Sequence, residues 1–513
     1  MDNSAGDGRN SELDALHRQL AAVAKSQDEA PSLNPLARQV ANQLRSTSHS
    51  PNMIIGQLRL FEFAGLSVIS LALNGIDIAG GALTHLTIAA ACLFNAGLCA
   101  LLLQVTDTYQ LPSLRRPLAM IGRILGSFLA SCAITGTAIR LLLANGVYTW
   151  QDLALWAAAG SGFLLLERVI VGIAIRHWGR NGVMERRAVI VGGGQAAKDL
   201  IRSLEQHDND IRICGIFDDR KGDRSPDIVA GYPKLGTFAE LVEFARLTKL
   251  DMLIISLPLS AEARILDLIR KLWVLPVDIR VAAHAHKLRF RPRSYSRDGG
   301  VPMLDVMDKP LRDWDGVAKR IFDIFFSLIA LSLLWPVMIG AAIAVKSTSK
   351  GPILFKQKRH GFNNETINVW KFRSMYTEMS DPSAVKAVTR NDPRVTPVGR
   401  FLRKSSLDEL PQFFNVLAGD LSLVGPRPHA VHAQTGDLKY TEVVEHYFAR
   451  HKVKPGVTGW AQINGWRGEI DNSDKIKQRT AFDLYYIENW SLLLDLKILF
   501  LTPIRLLKSD NAY

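Results

Sequence analysis

Cysteine is scarce in this sequence, and the few cysteines are not arranged in motifs. Four occur in 513 residues, and no Cys-x-x-Cys pair is among them. Disulfide scaffolds and structural zinc sites need clustered cysteine, alone or with histidine, so the sequence argues against both. The first 52 residues also lack the apolar run of a cleavable signal peptide.

Acidic residues are in short supply as well. The chain has 49 Asp and Glu against 62 Lys and Arg, a formal net charge of +13. This surplus favours acidic partners, chiefly a phosphate-bearing substrate, an anionic membrane surface or nucleic acid. The mean hydropathy of +0.07, with 22% charged residues, is high for a soluble protein and low for one wholly in a membrane. The chain therefore combines membrane-embedded and soluble parts.

Long apolar runs begin after a polar N-terminus. Residues 1–52 are rich in Ser, Asn, Asp and Gln, a composition that predicts a disordered cytoplasmic segment. Within 53–180 follow four runs of about the 20 residues that span a bilayer, at roughly 59–79, 82–105, 120–143 and 150–175. We predict a bundle of four transmembrane helices, with a buried soluble bundle as the alternative.

The charges of the connections predict the orientation of these helices. The connections near Asp77 and Tyr148 carry no Lys or Arg. Arg115 and Arg116 lie in the middle connection, and the exit carries four arginines, the last of them Arg187. Because cytoplasmic loops are enriched in Lys and Arg, the N-terminus and the chain after Arg187 are both predicted to be cytoplasmic.

Residues 187–300 alternate between strand-like and helix-like segments, which predicts a Rossmann-like α/β module with a parallel sheet. Gly192, Gly194 and Ala197 follow the first strand and open a helix, as in a dinucleotide-binding loop, and a pair of aspartates beginning at Asp218 ends the second strand. The chain contains no Tyr-x-x-x-Lys pair, the acid and base of short-chain sugar-modifying enzymes. We favour a structural or regulatory module, in which Gly192 and Gly194 are the candidate nucleotide-binding residues.

A fifth apolar run occupies residues 321–345. Lys319 and Arg320 precede it and a series of lysines follows it, so positive charge flanks both ends. Pro336 interrupts the run, and a proline inside a helix removes one hydrogen bond and clashes with the preceding turn. We predict a re-entrant helix hairpin whose two ends both face the cytoplasm, with a simple fifth span as the alternative.

The densest chemistry lies where two carboxylates, Asp408 and Glu409, precede a helix that Pro411 is suited to open. A helix N-terminus and nearby basic residues lower a carboxylate pKa and attract phosphate. A deprotonated aspartate near a divalent cation is a suitable nucleophile on phosphorus. In the alternative interpretation Ser406 and Glu409 form a capping box, and Glu409 only binds backbone amides.

Further cations accompany this pair. Lys371 and Arg373 lie on one face of a predicted strand. Arg427 stands between two prolines, and Arg467 follows a turn-rich loop that begins at Lys454. Each could be an ordinary surface cation, but their concentration around a carboxylate pair favours an anionic diphosphate substrate.

The C-terminal region contains four ordered motifs. They are the apolar run with Pro336, residues 351–357 (GPILFKQ), residues 408–412 (DELPQ) continuing to 419–428 (GDLSLVGPRP), and residues 454–465 (KPGVTGWAQING). Through these motifs residues 319–513 resemble the bacterial sugar transferase family, the monotopic polyprenyl-phosphate hexose-1-phosphate transferases. The four predicted spans and the Rossmann-like module resemble the large members, such as undecaprenyl-phosphate glucose phosphotransferases.

The resemblance implies a reaction and a set of roles. A UDP-hexose gives its hexose-1-phosphate to undecaprenyl phosphate, the first membrane step of exopolysaccharide, capsule or glycan synthesis, and UMP leaves. Asp408 attacks the β-phosphate to form a phosphosugar-enzyme intermediate, and Glu409 helps to bind Mg²⁺. The implied substrate-binding residues are Lys371, Arg373, Arg427, Arg467 and Asp495.

It also implies where the reaction takes place. An α/β catalytic domain, residues 316–513, would lie on the cytoplasmic face of a bacterial inner membrane, held by the re-entrant hairpin and by attraction to anionic membrane lipid. No nucleic acid is needed to explain the basic charge. Whether the protein forms a homo-oligomer is left open by the sequence.

Two other classes of protein compete with this interpretation. Residues 192–197 favour an NAD-dependent sugar epimerase or dehydratase, but the missing Tyr-x-x-x-Lys pair counts against it. A regulatory scaffold with a degenerate transferase domain is the second, and the intact Asp408, Glu409 and Arg427 motifs count against that. No motif distinguishes glucose from galactose or an N-acetylated hexose, so glucose is expected only because the large architecture resembles that of glucose transferases.

Overall fold

The computed structural model describes residues 33–44, 50–74, 82–142, 150–180, 185–206, 211–220, 222, 225–258, 261–282, 296–298, 301–379, 392–429, 434–435, 438–439, 444, 447–466, 468 and 472–507. The chain divides into two compact units. One is Thr47–Arg186, and the other combines Met1–Ser46 with Arg187–Tyr513.

A short helix, α1 (Pro35–Gln43), lies within the segment 1–52 that composition predicted to be disordered, and that prediction is wrong for these residues. Asn34 caps the helix by accepting a hydrogen bond from the Leu36 amide at 3.1 Å, and proline occupies its first turn. One face of the helix is apolar and is covered by the core of the α/β module. The average composition of residues 1–52 does not reveal this face. The buried residues of this face and its flanks are Leu33, Ala37, Ala41 and Leu44.

The chain leaves the α/β module after Leu44 and returns to it at Arg187. The Arg187 guanidinium donates a hydrogen bond to the Leu44 carbonyl. The backbone amide of Arg187 donates to the Asp251 carboxylate at 3.0 Å. The two ends of the intervening helical segment are therefore joined to the same module.

The described part of Thr47–Arg186 is built from helices of spanning length. They are α2 (Pro51–Asn74), α3 (Ala82–Val105), α5 (Ile121–Leu142) and α6 (Trp150–Arg180), with the short α4 (Leu111–Arg115) ahead of α5. Each long helix includes an apolar stretch sufficient to cross a bilayer. They pack through buried side chains such as Leu103, Phe128 and Leu164, whereas Leu101 and Leu141 are exposed. The four predicted runs form helices; their crossing of a membrane as a bundle stays a prediction.

A buried ionic cluster joins these helices. Arg168 lies 2.7 Å from one carboxylate oxygen of Glu62, and the Tyr109 hydroxyl donates to the other oxygen at 2.5 Å. Buried charges are tolerated when they are paired and hydrogen-bonded. This pairing explains how an apolar helix accommodates Glu62 near the middle of its length.

An eight-stranded mixed sheet forms the centre of the α/β module. Its strands are β1 (Arg186–Val191), β2 (Ile211–Phe217), β3 (Ile228–Val229), β4 (Tyr232–Gly236), β5 (Met252–Ile255), β6 (Asp278–Ala282), β7 (Ser296–Asp298) and β8 (Val301–Met307), and the helices between them are α7 (Gln195–Gln206), α8 (Phe238–Leu247) and α9 (Glu262–Leu272). The order is β3-β4-β2-β1-β5-β6-β8-β7. Strands β1, β5 and β6 pair in parallel, as predicted, and β8 is antiparallel to β6.

The region that contains the carboxylate pair begins with a long helix and a hairpin. Its elements are α10 (Asp313–Thr348), β9 (Leu354–His360), β10 (Thr366–Phe372), α11 (Pro397–Ser405), α12 (Gln412–Ala418), β11 (Ser422–Val424), β12 (Gln434–Thr435), β13 (Leu438–Lys439), β14 (Gly456–Thr458), α13 (Trp460–Ile463), α14 (Ser473–Glu488) and α15 (Leu492–Leu507). Strands β9 and β10 pair antiparallel, and β11 and β14 pair in parallel.

Helix α10 contains the predicted hairpin, residues 321–345, within one helical element that continues through Pro336. Its apolar middle is open, with Leu333 71% and Trp335 58% exposed. The helix is long and apolar enough to cross a membrane. Its re-entrant course stays a prediction.

Both flanks of α10 are attached to the rest of the region that contains the carboxylate pair. On the N-terminal side, Lys319 Nζ lies 2.9 Å from the Asp323 carboxylate and 2.8 Å from that of Asp495. On the C-terminal side, Val345 is buried against Phe372 at the end of β10. The apolar middle of the helix therefore lies between two anchored ends.

Candidate active site

The two carboxylates lie on a single turn of 3-10 helix, Leu407–Glu409, between α11 and α12. Ser406 ends α11 in the left-handed conformation, with φ 59°, which turns the chain so that Asp408 and Glu409 are both buried. Pro411 is the N-cap residue of α12, one position ahead of the first helical position that the sequence predicted for it. Glu409 does not form a capping box with Ser406. Its carboxylate binds the side chains of Lys371 and Arg427 and not backbone amides.

Two cations hold the Glu409 carboxylate. Lys371 Nζ donates to Oε1 at 2.8 Å, and the Arg427 guanidinium forms a two-pronged contact, 2.5 Å to Oε1 and 3.0 Å to Oε2. Bidentate pairs of this kind fix orientation as well as charge. Although burial raises it, Arg427 and Lys371 hold the pKa of Glu409 well below its ordinary value.

Asp408 differs sharply from its neighbour. No hydrogen bond or ion pair to another described residue holds its carboxylate, although the side chain is only 7% exposed. Burial, aided by the Glu409 charge and opposed by Lys371, raises the pKa of Asp408. The pair thus consists of one clamped carboxylate and one uncommitted carboxylate, and the uncommitted one can act as a nucleophile.

Arg427 is positioned through the backbone around it. Gly456 donates to the Pro426 carbonyl at 2.9 Å, and Arg450 donates to the carbonyl of Arg427 itself at 2.7 Å. Arg450 is fully buried and is paired with Asp483 at 2.6 Å. Because these contacts restrain the loop, the guanidinium of Arg427 is presented to Glu409 from a rigid support.

The structure does not bring every predicted residue to the pair. Arg373 lies just beyond the end of β10 and donates to the carbonyls of Ser349 and Lys350, at 2.7 and 2.8 Å, directly after the end of α10. Asp495 is buried and accepts a hydrogen bond from Tyr486 at 2.7 Å, besides its contact with Lys319. Both residues hold elements together through these contacts, and their predicted contacts with substrate stay predictions.

Arg467 lies outside the described residues, so its predicted phosphate contact stays a prediction. In the Rossmann-like module, the loop between β1 and α7 contains Gly192 with φ 108°, as a tight glycine turn requires. The amide of the intervening Gly193 donates to the Asp218 carboxylate at 2.7 Å. Nucleotide binding by Gly192 and Gly194 likewise stays a prediction.

Two more arginines near the pair were not among the predicted site residues. Arg359 is close enough that burial and the Arg427 charge lower its pKa to about 10. Its guanidinium donates to the Pro428 carbonyl, which further supports the Arg427 loop. Arg403, on α11, is fixed by a 2.8 Å hydrogen bond from Nε to Ser374 Oγ. The sequence around Arg359 can place its side chain on one face of β9. It does not show that this face contacts the loop that carries Arg427, because that loop is distant in sequence.

The carboxylate pair contains the candidate ligand for a divalent cation, Glu409. The described residues contain no group of three or more His, Cys, Asp or Glu that could hold a metal ion. Mg²⁺, however, often binds through one or two carboxylates and takes its other ligands from water and substrate phosphates. A carboxylate has about four lone-pair positions, and the contacts of Glu409 use three of them. Glu409 therefore has room for one bond to a magnesium ion whose coordination the substrate completes.

Comparison with known proteins identifies two families along the chain. Residues 314–509 match the bacterial sugar transferase family, and residues 104–283 match a CoA-binding domain family. The chain is 41% identical over 364 residues to the undecaprenyl-phosphate glucose phosphotransferase of Komagataeibacter xylinus, which covers 70% of this chain and 66% of that protein.

Two further relatives share the same extent. The UDP-glucose:undecaprenyl-phosphate glucose-1-phosphate transferase of Escherichia coli (strain K12) is 39% identical over 363 residues, 70% of this chain and 75% of its own length. The protein of the same name from Klebsiella pneumoniae is 37% identical over 367 residues, 71% of this chain and 77% of its own length. These matches are longer than the span 314–509, so they include chain ahead of the catalytic region.

The matches, the apolar helices and the buried carboxylate pair define a class: the protein is a membrane-associated phosphotransferase. The chain belongs to the bacterial sugar transferase family, among its large members. The motifs that carry the resemblance in the sequence lie in the part of the structure that holds Asp408 and Glu409.

The two carboxylates should respond in opposite ways to isosteric neutralisation. Glu409→Gln removes the charge that compensates Lys371 and Arg427, and breaking a buried pair from one side costs about 3–5 kcal/mol. Asp408→Asn removes a charge whose burial is itself unfavourable, as the raised pKa of Asp408 shows. Thermal unfolding in detergent or nanodiscs should show a clear loss of stability for Glu409→Gln and none for Asp408→Asn. Equal losses for both variants would contradict the clamped and uncommitted roles.

Proposed function

We propose that the protein transfers glucose-1-phosphate from UDP-glucose to undecaprenyl phosphate, giving undecaprenyl-diphosphate-glucose and UMP. The observation that carries the proposal is the buried pair in which Glu409 is clamped by cations and Asp408 is not. A diphosphate donor brings negative charge that Lys371, Arg427 and their neighbours can neutralise. The names of the relatives that match 70% of the chain support this donor and this acceptor.

The chemistry proceeds by two displacements on one phosphorus atom. In the first, an oxygen of the Asp408 carboxylate attacks the β-phosphorus of UDP-glucose, and the bond to the bridging oxygen breaks, so that UMP leaves with that oxygen. In the second, a phosphate oxygen of undecaprenyl phosphate attacks the same phosphorus. The bond to Asp408 then breaks and the free carboxylate is restored. No oxidant or net proton is required.

The cations around the carboxylate pair have two roles. Lys371 and Arg427 are already paired with Glu409 at 2.8 and 2.5 Å, so they hold the site in shape before substrate arrives. Arg359 and Arg403 add positive charge beside Asp408, as their mutual effects on pKa indicate. Pre-organised charge of this kind stabilises a phosphoryl transition state without reorganisation cost.

We further propose Mg²⁺ as the cofactor, held by Glu409 together with the donor phosphates. Bound there, it would supply charge neutralisation and orientation of the diphosphate. Lys371 and Arg427 would keep the Glu409 carboxylate in a fixed orientation toward it. Asp408, without a described partner of its own, would remain directed at the phosphorus.

Glucose is proposed as the sugar because the relatives matched along 70% of the chain are named for glucose. The described site residues are charged groups suited to phosphate, and none discriminates between sugar hydroxyls. The pathway proposed on the same ground is exopolysaccharide synthesis, of which this transfer would be the first membrane step.

The re-entrant course of α10 is proposed from its two anchored flanks. Lys319 joins Asp495 at one end and Val345 joins Phe372 at the other, and all four residues belong to the catalytic region. A simple span would separate the flanks by about 30 Å of hydrocarbon. Entry and exit on one side would let the exposed middle around Leu333 lie in the bilayer while both flanks stay with the domain.

The face that carries Asp408 is proposed to be cytoplasmic and at the inner membrane. The basic connections of the helical unit support this orientation. Exposed lysines next to the end of α10 would bind anionic lipid headgroups there. These are Lys346, Lys350, Lys356 and Lys358.

Asp408→Asn should abolish transfer. Wild-type protein incubated with UDP-glucose alone should release up to one equivalent of UMP and gain the mass of a hexose phosphate on the peptide containing Asp408. The variant should lower UMP release by more than about 10³-fold, the scale of losing a covalent nucleophile. Asp474→Asn, at an exposed aspartate, is the matched control. Acceptor-dependent product without an adduct would contradict the covalent route, and a faster reaction with another UDP-sugar would contradict glucose.

Chelation should stop the first displacement. Treatment with EDTA is expected to reduce UMP release from UDP-glucose to background, and excess Mg²⁺ should restore it, because the Glu409 site lacks enough protein ligands to retain the ion tightly. Calcium, which prefers more ligands and longer distances, serves as the comparison ion. Full UMP release in the presence of EDTA would contradict the magnesium proposal.

Both ends of α10 should be accessible from one side of the membrane. Single cysteines at Asp315 and Ser347, both exposed, should react with a membrane-impermeant maleimide only in inside-out vesicles. The native cysteines are buried and provide the background. Labelling of the two positions from opposite sides would establish a simple span instead.

A further inference from the structure

A short 3-10 helix, Tyr447–Lys452, contacts both the α/β module and the region of the carboxylate pair. All three belong to the same compact unit of the chain. A 3-10 helix has three residues per turn, so consecutive side chains point in directions about 120° apart. The last three residues of this helix, Arg450, His451 and Lys452, are all buried, and each reaches a different part of the structure.

Two of these residues contact the supports of the cations that clamp the buried glutamate. Arg450 donates to the Arg427 carbonyl at 2.7 Å. The His451 ring is hydrogen-bonded to the side chain of Asn364, which lies in the turn between β9 and β10. Strand β10 carries Lys371. The 3-10 helix therefore contacts both the loop of one clamping cation and the hairpin of the other.

The third residue reaches the α/β module. Lys452 Nζ lies 4.9 Å from the centroid of the Trp273 ring and donates to Met307 Sδ at 3.0 Å. Trp273 directly follows α9, and Met307 is the last residue of β8. Met307 packs against the hydrophobic core of the module. The position of the Lys452 ammonium is therefore set by two elements of the module.

The Lys452 ammonium is buried without an acidic partner. The residue is 7% exposed, and within the described chain no carboxylate forms an ion pair with it. Burial lowers the pKa of Lys452 to about 8, although the charge of Glu488 opposes this change. The face of an aromatic ring attracts an ammonium and compensates part of the cost of burial. Because an uncharged side chain of similar length would avoid that cost, stability alone does not account for a lysine here.

A second element of the module acts on the same 3-10 helix. Burial, together with the charges of Arg450, His360 and Arg246, holds the pKa of His451 well below its ordinary value. Arg246 lies on α8 of the module. The His451 ring stacks on that of His360 at 5.5 Å between centroids, and His360 is the last residue of β9. The module therefore acts on the helix at two consecutive residues, His451 and Lys452.

We propose that the α/β module positions the two cations on Glu409 through Lys452 and so sets the rate of the transfer. The inference rests on the proposed function and gives the module a part in it. The contact of Lys452 with Trp273 fixes the end of the 3-10 helix. Arg450 and His451 then fix the loop and the hairpin that carry the cations. Lys452 is a positioning residue, because it acts on the carboxylate pair only through other side chains.

Removal of the ammonium or of the ring should slow the first displacement. Lys452→Met and Trp273→Leu should each lower the rate of UMP release from UDP-glucose by about tenfold or more, since a misplacement of about 1 Å can cost about 10²-fold. The melting temperature of Lys452→Met should not fall, because an apolar side chain replaces a buried charge. Lys271→Met, at an exposed lysine two residues before Trp273, is the matched control and should keep the wild-type rate.

Rescue and a double variant distinguish positioning from packing. Lys452→Arg and Trp273→Phe keep a cation over an aromatic ring and should each retain most of the wild-type rate. The double variant Lys452→Met with Trp273→Leu should be no slower than the slower single variant, because both changes remove one contact. A wild-type rate for Lys452→Met, multiplied losses in the double variant, or a melting temperature that falls with the rate in Lys452→Met would each overturn the proposal.

Hydrogen exchange tests the same link without turnover. In the full-length protein in nanodiscs, Lys452→Met should speed amide exchange in the peptides 422–429 and 447–458, whereas the module strands 186–191 and 252–255 should exchange as in the wild type. Wild-type exchange in all four peptides would overturn the proposal. Absence of UMP release and adduct in the wild type would instead overturn the proposed function, and the exchange rates would still decide whether Lys452 links the module to the Arg427 loop.

Discussion

The arrangement of the catalytic region depends on the contact of one carboxylate with two cations from different parts of the chain. Lys371 arrives on the second strand of a hairpin, and Arg427 on a loop between two prolines, yet both end on Glu409. A carboxylate buried without such partners would protonate instead of holding charge. The contact therefore joins the hairpin, the loop and the turn before α12 into one site. Asp408, one residue away, makes no hydrogen bond or ion pair to another described residue.

The surrounding structure shows how the protein preserves this difference between adjacent carboxylates. The loop that carries Arg427 is restrained, because Arg450 and Arg359 donate to two consecutive backbone carbonyls, those of Arg427 and Pro428. Arg450 is itself paired with Asp483 in a fully buried contact. These polar contacts fix the guanidinium of Arg427. A substrate phosphate would therefore bind cations that are already in position. Removal of an outer contact would act on the reaction through the position of Arg427.

Sequence reasoning succeeded where the determining information is local. Neighbouring residues determine four of the predicted features: the Gly192 turn, the apolar runs, the alternation of strands and helices in the α/β module, and the break before α12. It was incomplete where the contacting residues are distant in sequence. Lys371 and Arg373 were expected to share a strand face, but β10 ends at Phe372, and Arg373 donates instead to the carbonyls of Ser349 and Lys350, directly after α10. Asp495 is paired with Lys319, far away in sequence, and no local pattern could reveal that partner; its predicted place near substrate stays a prediction.

The hydrogen bond between Arg187 and the Leu44 carbonyl has a topological consequence. It brings together the two points at which the chain departs for the helical segment and comes back. A membrane-spanning segment whose two ends are attached to one soluble module must cross the bilayer an even number of times. The contact therefore favours the predicted even number of spans, independently of loop charge. It also means that the N-terminal helix α1 can take its place on the module only after the whole intervening segment has been made.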